Sequence, residues 1–222
     1  MSGATVVHYP VFLDLAGKPC LVVGGGEVAA GKVSGLLDAG ARVVVVSPGI
    51  AGTLARLVAT GAVAHRAREL REEDLDGMAL VIAATDRPEV NSAACLAARR
   101  RRILVNVVDT PSECDFYTPA VVRRGALQIA VSTEGKSPVL ARRIREELEA
   151  RFGPEYARYL EILGRARTES KRRGDSLPAR TSALLALAES GLLSAVRAGD
   201  ETAIEGTLDR SGFGGAHPPW RD

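Results

Sequence analysis

The chain has 222 residues, of which 46% are hydrophobic and 25% are charged. This composition is typical of a folded globular protein and excludes a chain that is mainly disordered. Its 29 Lys and Arg residues nearly balance its 27 Asp and Glu residues, for a formal net charge of +2. Proteins that bind nucleic acids or membrane surfaces usually carry a strong basic bias, so we expect neither kind of partner.

Cysteine and histidine positions bear on compartment and on metal binding. The cysteines are Cys20, Cys95 and Cys114, and no two of them form a Cys-x-x-Cys pair. Few, widely spaced cysteines are typical of reduced thiols, and no segment resembles a signal peptide or a membrane span, so we expect a cytoplasmic protein. The histidines are equally dispersed, and we therefore predict no metal site.

Short apolar segments alternate with helix-length segments over the first half of the chain. Strands are predicted at Pro19–Val23, Arg42–Val46, Ala79–Ala84 and Arg102–Val108, and helices at Glu27–Ala39, Ala51–Thr60 and Pro88–Arg101. The strands are apolar along their whole length, as expected where helices cover both faces of a sheet. The alternation predicts an α/β fold with a Rossmann-like, doubly wound parallel sheet, which we assign to residues 1–112.

The pattern changes after Asp109. A strand is predicted at Leu127–Val131, and Ser137-Pro138 supplies an N-cap and a first-turn proline for a helix that Gly153-Pro154 ends. We assign residues 113–153 to a small α+β region. Helices predicted at Glu155–Lys171, Ala179–Ala198 and Glu201–Leu208 give a helical region over residues 154–210, followed by a flexible tail, residues 211–222.

A glycine-rich turn follows the first predicted strand. The segment Gly24-Gly25-Gly26-Glu27-Val28-Ala29 fits the pattern G-x-G-x-x-A between a strand and a helix. In such a site Gly24 permits the tight turn, Gly26 lets the backbone approach a pyrophosphate, and Ala29 lets the helix pack closely on the sheet. The phosphates would meet unpaired N–H groups at the positive end of the helix. The turn therefore predicts a dinucleotide site, and a turn that binds nothing is the less favoured interpretation.

The second predicted strand lacks the acidic residue that usually holds the adenosine ribose. It ends in Ser47-Pro48, where an Asp or Glu is expected. We therefore assign contact with the adenosine end to Ser47 and to the backbone of Pro48 and Gly49. No arginine directly follows the strand to receive a 2′-phosphate, which favours NAD over NADP as the cofactor.

Two carboxylates follow strands at the edge where open α/β sheets bind ligands. Asp86 precedes Arg87-Pro88, where a helix begins, and is interpreted as a cap. Asp109 begins a loop, residues 109–119, with no helix for it to cap at once. A carboxylate beside a nicotinamide could accept the proton released when a C–H bond loses hydride. From chemistry alone, this role for Asp109 and a structural role remain equally open.

Six motifs then occur in a specific order over residues 8–165. They are Tyr9-Pro10-Val11-Phe12-Leu13-Asp14-Leu15, Val22-Val23-Gly24-Gly25-Gly26-Glu27-Val28-Ala29, Ala83-Ala84-Thr85-Asp86, Asn106-Val107-Val108-Asp109, Asp115-Phe116-Tyr117-Thr118-Pro119-Ala120 and Ser137-Pro138-Val139-Leu140-Ala141-Arg142. In these motifs the chain resembles the precorrin-2 dehydrogenase / sirohydrochlorin ferrochelatase family, the N-terminal module of sirohaem synthases. Residues beyond about 167 carry no motif of that family.

The resemblance implies an enzyme that uses NAD to oxidise precorrin-2 to sirohydrochlorin in sirohaem biosynthesis. It implies that Asp109 is the catalytic residue. It further implies an intertwined homodimer, in which the region after Asp109 forms the interface and helps to cover the active site. The residues that it assigns to the dinucleotide are Gly24, Gly25, Gly26, Glu27, Val28, Ser47, Pro48, Gly49 and Thr85.

The substrate implied by the resemblance bears several carboxylates, and arginine matches carboxylate geometry best. Arg142 and Arg145 share a face of the helix opened by Ser137, in a stretch (residues 123–180) with 14 basic and 8 acidic side chains. We predict that these two arginines, Thr133 and Ser137 bind substrate. Each arginine alone could equally be a solvated surface residue, and Thr133 could be a turn residue.

One departure and two alternatives remain. Family members often carry an Arg-Lys pair in the first helix, where this chain has Gly31-Lys32, so an arginine contact at that position is absent. The first alternative is a bifunctional enzyme that also inserts Fe²⁺ or Co²⁺ into sirohydrochlorin. The second is a non-catalytic dinucleotide-sensing module, which would need neither Asp109 nor the arginine cluster.

Overall fold

A computed structural model describes residues 8–214 of the chain. They form two compact units, the first running to Thr118 and the second starting at Pro119. The elements of the first unit are β1 (Pro19–Val23), α1 (Glu27–Asp38), β2 (Arg42–Val46), α2 (Gly52–Ala59), β3 (Val63–Arg66), β4 (Leu80–Ala83), α3 (Pro88–Arg100) and β5 (Leu104–Val107). Short 3₁₀ helices lie at Glu72–Leu75 and Pro111–Glu113.

The first unit is a five-stranded parallel sheet with the strand order β3-β2-β1-β4-β5. Val23 at the end of β1 pairs with Val46 of β2 and with Ala83 of β4, so the carboxyl ends of these strands align at one edge. The order reverses beside β1, which is the point where open α/β sheets bind ligands. The predicted Rossmann-like parallel sheet is confirmed.

Alternate residues of each central strand pack on opposite faces of the sheet. In β1, Cys20 and Val22 pack against α1 and α2, whereas Leu21 and Val23 pack on the face that α3 covers. All four side chains are buried. Burial on both faces is why the strand sequences contain no polar alternation.

The edge strand β3 is not predicted from the sequence. It pairs with β2 alone, and Ala64 is exposed on it. His65 and Arg66 interrupt the apolar run that marks the central strands. An edge strand tolerates such polar residues because it pairs with a neighbouring strand along one edge only.

A buried carboxylate holds the loop after β3. The Asp74 side chain is fully buried and binds Arg66 and Arg68, with 2.7 Å between Arg68 Nη1 and Asp74 Oδ2. Its Oδ2 also accepts from the backbone N–H of Arg71 at 2.8 Å. The Arg68 guanidinium, followed by the Arg71 N–H and Arg66, holds the pKa of Asp74 well below its usual range against the effect of burial.

We expect Asp74→Asn to lower the free energy of unfolding by about 2 kcal/mol at neutral pH, because two partly exposed arginines lose their shared anion. The lowered pKa means that the ionised carboxylate stabilises the fold above the unfolded-state pKa of about 4, and this contribution disappears as pH falls. The difference between variant and parent should therefore shrink in acid. Urea unfolding at several pH values measures it. Asp76→Asn, at an exposed ion pair with Arg101, is the matched control, with a change below about 0.5 kcal/mol expected.

The second unit combines a two-stranded antiparallel hairpin with helices. Its elements are β6 (Ala120–Arg124), β7 (Leu127–Val131), α4 (Pro138–Arg151), α5 (Glu155–Arg172), α6 (Leu177–Glu189), α7 (Leu192–Ala198) and α8 (Glu201–Arg210). Both α4 and α5 pack against the hairpin, and α5 also packs against α6 and α7. The predicted helical C-terminal region is confirmed. Strand β6 is not predicted from the sequence, because two arginines end it.

The prediction of one helix over Ala179–Ala198 is wrong. The structure begins α6 two residues earlier, with Ser176 as its N-cap, and ends it at Glu189. Ser190 is extended there, its Oγ donating to the Leu187 carbonyl at 2.6 Å and accepting from the Leu192 N–H at 3.2 Å. This local bonding of a serine followed by a glycine replaces the helical ladder and starts a new helix.

The predicted tail lies mostly outside the described residues. Phe213, which falls within it, is buried in the core that α5 and α8 share. Among residues 8–214, no helix is both long enough and apolar enough to cross a bilayer.

Candidate functional site

The glycine turn between β1 and α1 is shaped by close backbone approaches. Gly24 has φ +122°, and a Cβ built there would lie 2.3 Å from the Ala84 carbonyl oxygen. At Gly25 a Cβ would lie 1.9 Å from the Gly49 carbonyl oxygen. At Gly26, in contrast, a Cβ would meet no atom within 4 Å. The first two glycines therefore serve the fold, and the third leaves open space beside the backbone, as a bound pyrophosphate requires.

The start of α1 offers unpaired donors to that open space. Gly26 is the N-cap and has no side chain to bond the first turn. The first intrahelical hydrogen bond is made by the Ala30 N–H, which donates to the Gly26 carbonyl at 3.0 Å. The N–H groups before Ala30 and the positive end of the helix dipole suit an anion. Glu27 and Val28 are exposed beside them.

The loop after β2 is tied to the glycine turn. Ser47 is 7% exposed, and its Oγ donates a short hydrogen bond to the Gly49 carbonyl. The Ser47 carbonyl lies 2.9 Å from His65 Nε2. The Ser47 hydroxyl proton is thus used inside the loop, while Pro48 and Gly49 are exposed. Contact of these three residues with the adenosine end stays a prediction.

Thr85, and not Asp86, makes the side-chain hydrogen bonds that fix the backbone before α3. Thr85 Oγ1 donates to Asn91 Oδ1 at 2.7 Å and accepts from the Arg87 N–H at 3.1 Å. Asn91 returns a bond from Nδ2 to the Thr85 carbonyl at 3.0 Å. The interpretation of Asp86 as a helix cap is wrong, because the residue before α3 is Arg87 and no side chain caps the helix.

Asp109 lies at the end of β5 in a strained backbone conformation. Its φ is +59°, in the left-handed region that non-glycine residues other than Asn and Asp seldom adopt. Such a conformation costs about 1 kcal/mol and is concentrated at functional sites. The side chain is exposed at the edge of the sheet where ligands bind.

The segment after Asp109 returns along β5 and is anchored to it. The buried Asn106 donates from Nδ2 to the Phe116 carbonyl at 2.8 Å. Asp115 Oδ2 accepts from the Val105 N–H at 3.1 Å, and the Asp115 N–H donates to the Val105 carbonyl at 2.8 Å. Cys114 packs under the turn, where burial raises the pKa of its thiol. These bonds keep the segment against the sheet, and the predicted domain boundary at residue 112 falls within it.

Lys32 is the residue near Asp109 that the sequence reasoning missed. It lies on α1, is half-buried, and donates from Nζ to Thr118 Oγ1 at 2.7 Å. Burial lowers its pKa, and the charges of Asp109 and Cys114 oppose that shift. A signal was present, since Lys32 is four residues after Val28 and shares its helix face.

One cleft of about 980 Å³ runs along the carboxyl ends of the strands. Asp109 and all nine residues assigned to the dinucleotide line it. Glu69 and Arg87, which the sequence did not single out, line it as well and bind each other at 2.7 Å between Glu69 Oε1 and Arg87 Nη1. The structure therefore brings the predicted cofactor residues and the predicted catalytic carboxylate together.

The four residues predicted to bind substrate lie in the second unit. Thr133 Oγ1 accepts from the Ser137 N–H at 3.2 Å, and Ser137 Oγ caps α4 by accepting from the Leu140 N–H at 3.2 Å. Arg142 pairs with Glu146 at 3.0 Å and Arg145 with Glu149 at 2.7 Å, each one turn along the helix. Each residue thus has a local partner, and binding of substrate stays a prediction for all four.

Metal ligands are not clustered in the part of the chain that the structure describes. There, no group of three or more His, Cys, Asp or Glu side chains is placed to hold an ion.

Comparison with protein families divides the chain near the boundary between the two structural units. Residues 11–120 match a family of NAD(P)-binding domains, and residues 124–151 match the central domain of sirohaem biosynthesis proteins. The first match agrees with the glycine turn and its cleft. The first unit is therefore a domain that binds a nicotinamide dinucleotide.

Curated relatives match most of the chain. Siroheme synthase of Methylobacillus flagellatus is 47% identical over 164 residues, which are 74% of this chain and 35% of that protein. Siroheme synthase 1 of Pectobacterium atrosepticum is 42% identical over 203 residues, which are 91% of this chain and 42% of that protein. The chain thus spans less than half the length of these relatives.

A solved structure covers nearly the whole chain. SirC, a precorrin-2 dehydrogenase, superimposes with a TM-score of 0.74 at 28% identity, over 92% of this chain and 99% of that one. The family matches, the curated relatives and the solved structure all indicate the same family, and the resemblance drawn from the motifs is confirmed. The chain belongs to the precorrin-2 dehydrogenase / sirohydrochlorin ferrochelatase family, which includes the N-terminal module of sirohaem synthases.

Proposed function

We propose that this chain oxidises precorrin-2 to sirohydrochlorin with NAD. The observation that carries the proposal is the position of Asp109, an exposed carboxylate in a strained backbone conformation, in the cleft that the glycine turn forms. The similarity of this chain to SirC, a precorrin-2 dehydrogenase, extends over 99% of the SirC chain and supports precorrin-2 as the substrate.

Oxidation of precorrin-2 removes a hydride and a proton from the macrocycle. Bound NAD supplies the acceptor for the hydride. The glycine turn and the first N–H groups of α1 hold the pyrophosphate, with Gly26 leaving the space for it. Asp109 accepts the proton at its carboxylate and, being exposed, passes it on to water.

Charge around the cleft supports NAD over NADP. Arg87, which lines the cleft, is bound by both Glu69 and Glu89. Arg66 and Arg68, which follow β3, are bound by the buried Asp74. A 2′-phosphate would have to compete with these carboxylates for its cation, whereas a ribose hydroxyl would not.

Arg142 and Arg145 are proposed to bind substrate carboxylates. We expect their joint replacement by Ala to raise the KM for precorrin-2 by about a hundredfold, because each charge-assisted hydrogen bond contributes about 1.5 kcal/mol, or about tenfold. The KM for NAD should not change. Steady-state kinetics with each substrate varied in turn measures both. Equal KM values for precorrin-2 in variant and parent would contradict the role. Arg143→Ala, one position away in an equivalent pair with Glu147, is the control.

A homodimer in the cytoplasm is proposed as the working form. Val139 and Leu140 near the start of α4 are 80% and 48% exposed in the single chain, which supports an apolar contact with a second copy. Cys20 and Cys95 are buried, free thiols, as suits a reducing compartment. Light scattering on the purified protein tests the oligomeric state.

Anaerobic incubation of the protein with precorrin-2 and NAD tests the function. Appearance of NADH and of the sirohydrochlorin absorbance spectrum supports the dehydrogenase. No NADH, with NAD still bound, would overturn it in favour of the dinucleotide-sensing module. Addition of Fe²⁺ or Co²⁺ to the product, with and without protein, tests whether the chain also inserts metal.

A further inference from the structure

Glu69 brings a carboxylate to the side of the cleft where β2 supplies none. Dinucleotide sites of this type usually hold the adenosine ribose with an Asp or Glu at the end of the second strand. Here β2 is followed by Ser47, whose hydroxyl proton is used on the Gly49 carbonyl. Glu69 follows β3, which pairs with β2 and is tied to its loop, since the Ser47 N–H donates to the Arg66 carbonyl at 3.3 Å. Glu69 therefore lines the cleft beside the Ser47 loop.

The loop that carries Glu69 is anchored to the first unit. Arg68 Nη1 donates to the Glu69 carbonyl at 3.0 Å and to Asp74 Oδ2 at 2.7 Å, so the buried Asp74 holds the Glu69 backbone through one guanidinium. Leu70, the next residue, packs against the core on the face of the sheet that α3 covers. The backbone of Glu69 is thus fixed, while its side chain is 59% exposed at the cleft.

Arg87 orients the Glu69 carboxylate. Glu69 Oε1 binds Arg87 Nη1 at 2.7 Å, and Arg87 directly precedes α3. Because β2 and β1 lie between β3 and β4 in the sheet, this pair joins the two sides of the cleft. A carboxylate accepts up to about four hydrogen bonds, so the pair leaves acceptor capacity for a ligand. An ion pair with both members exposed is weak in water, and a bound ligand can therefore share it.

The other acidic residues that line the cleft are placed differently. Glu27 begins α1 beside the glycine turn, where the pyrophosphate is expected. Asp86 follows β4 and Asp109 follows β5, and both strands lie on the opposite side of β1 from β2. With the pyrophosphate at the glycine turn and the nicotinamide beside Asp109, the adenosine lies towards β2 and β3. Glu69 is the lining carboxylate on that side.

We propose that Glu69 is a specificity-determining residue for the adenosine ribose: its carboxylate accepts a hydrogen bond from the ribose 2′-hydroxyl of NAD, and its charge and its hold on Arg87 exclude the 2′-phosphate of NADP. The inference rests on the proposed function, in which NAD binds with its pyrophosphate at the glycine turn. A hydroxyl can donate to a carboxylate. A 2′-phosphate brings about two negative charges beside the carboxylate, which repels it.

The test compares Glu69→Ala and Glu69→Gln with the parent and with Glu73→Ala. Glu73 lies on the same connection between β3 and β4, in an exposed pair with Arg71 at 3.8 Å, and is not among the residues that line the cleft. Calorimetry gives the dissociation constants of three ligands: NAD, NADP and the analogue of NAD that carries 2′-deoxyadenosine. The analogue isolates the contribution of the 2′-hydroxyl, and none of these measurements needs precorrin-2.

We expect the parent to bind NAD more tightly than NADP. Glu69→Ala should weaken NAD binding by about tenfold, leave binding of the 2′-deoxy analogue unchanged, and strengthen NADP binding by about tenfold because Arg87 is released. The preference for NAD should therefore fall by about a hundredfold. Glu69→Gln keeps an oxygen that can accept the hydrogen bond, so it should lose less affinity for NAD. Glu73→Ala should bind all three ligands as the parent does.

Two results with Glu69→Ala would overturn the inference: an unchanged ratio of NAD to NADP affinity, or equal weakening of NAD and its 2′-deoxy analogue. A parent that prefers NADP would overturn it as well. If the parent binds NAD but does not oxidise precorrin-2, the proposed function fails, and the dissociation constants still decide the role of Glu69. A parent that binds neither dinucleotide would overturn both.

Discussion

Asp109→Asn is expected to lower turnover of precorrin-2 by about 10²- to 10⁴-fold, because an amide cannot accept the proton. Asn has nearly the shape of Asp and also tolerates a positive φ, so the backbone at +59° is retained. The dissociation constant of NAD and the melting temperature should therefore stay close to those of the parent. Stopped-flow detection of NADH gives turnover, and calorimetry gives NAD binding.

Asp109→Gly separates the carboxylate from the backbone strain. Glycine adopts the left-handed conformation without cost, so this variant should be at least as stable as the parent and as inactive as Asp109→Asn. Asp76→Asn, away from the cleft, controls for loss of a carboxylate. Turnover in either Asp109 variant within a few-fold of the parent would exclude Asp109 as the proton acceptor.

The central sheet could be predicted because both of its faces are buried. Strands β1, β2, β4 and β5 each read as an apolar run, and the helix after β1 begins directly after its glycines. The edge strand β3 has no such signal, since His65 and Arg66 face partners that only the folded chain supplies. Local chemistry also divides α6 from α7, where Ser190 bonds the backbone in place of the helical ladder.

The parts of the candidate site that lie in one sequence motif could be predicted. The contacts between residues far apart in the sequence could not. The glycine turn and Asp109 follow strands whose ends align, so their presence in one cleft follows from the sheet. Lys32 gains its position only from the return of the segment that ends at Thr118, 86 residues later. The hydrogen bond from the Ser47 hydroxyl to the Gly49 carbonyl likewise depends on the folded conformation of the loop that contains both residues.

Substitutions at Gly25 and Gly26 should separate the effect of the glycine turn on folding from its effect on dinucleotide binding. A Cβ at position 25 would lie 1.9 Å from the Gly49 carbonyl oxygen, a backbone atom that cannot rotate away. Gly25→Ala should therefore lower the free energy of unfolding by about 3 kcal/mol or more. Gly26 has an ordinary extended backbone, φ −82° and ψ −176°, and open space beside it.

Gly26→Ala should therefore fold, with a loss of stability of about 1 kcal/mol or less from the poorer N-cap. The new methyl group would occupy the space that the pyrophosphate needs, so the dissociation constant of NAD should rise by about tenfold or more, which corresponds to about 1.4 kcal/mol. Chemical unfolding and calorimetry on both variants measure the two effects. Gly31→Ala, farther along α1 with open space beside it, is the control for adding a methyl group. Tight NAD binding by Gly26→Ala would mean that the pyrophosphate does not lie against this turn, and the assignment of the cofactor to the glycine motif would fail.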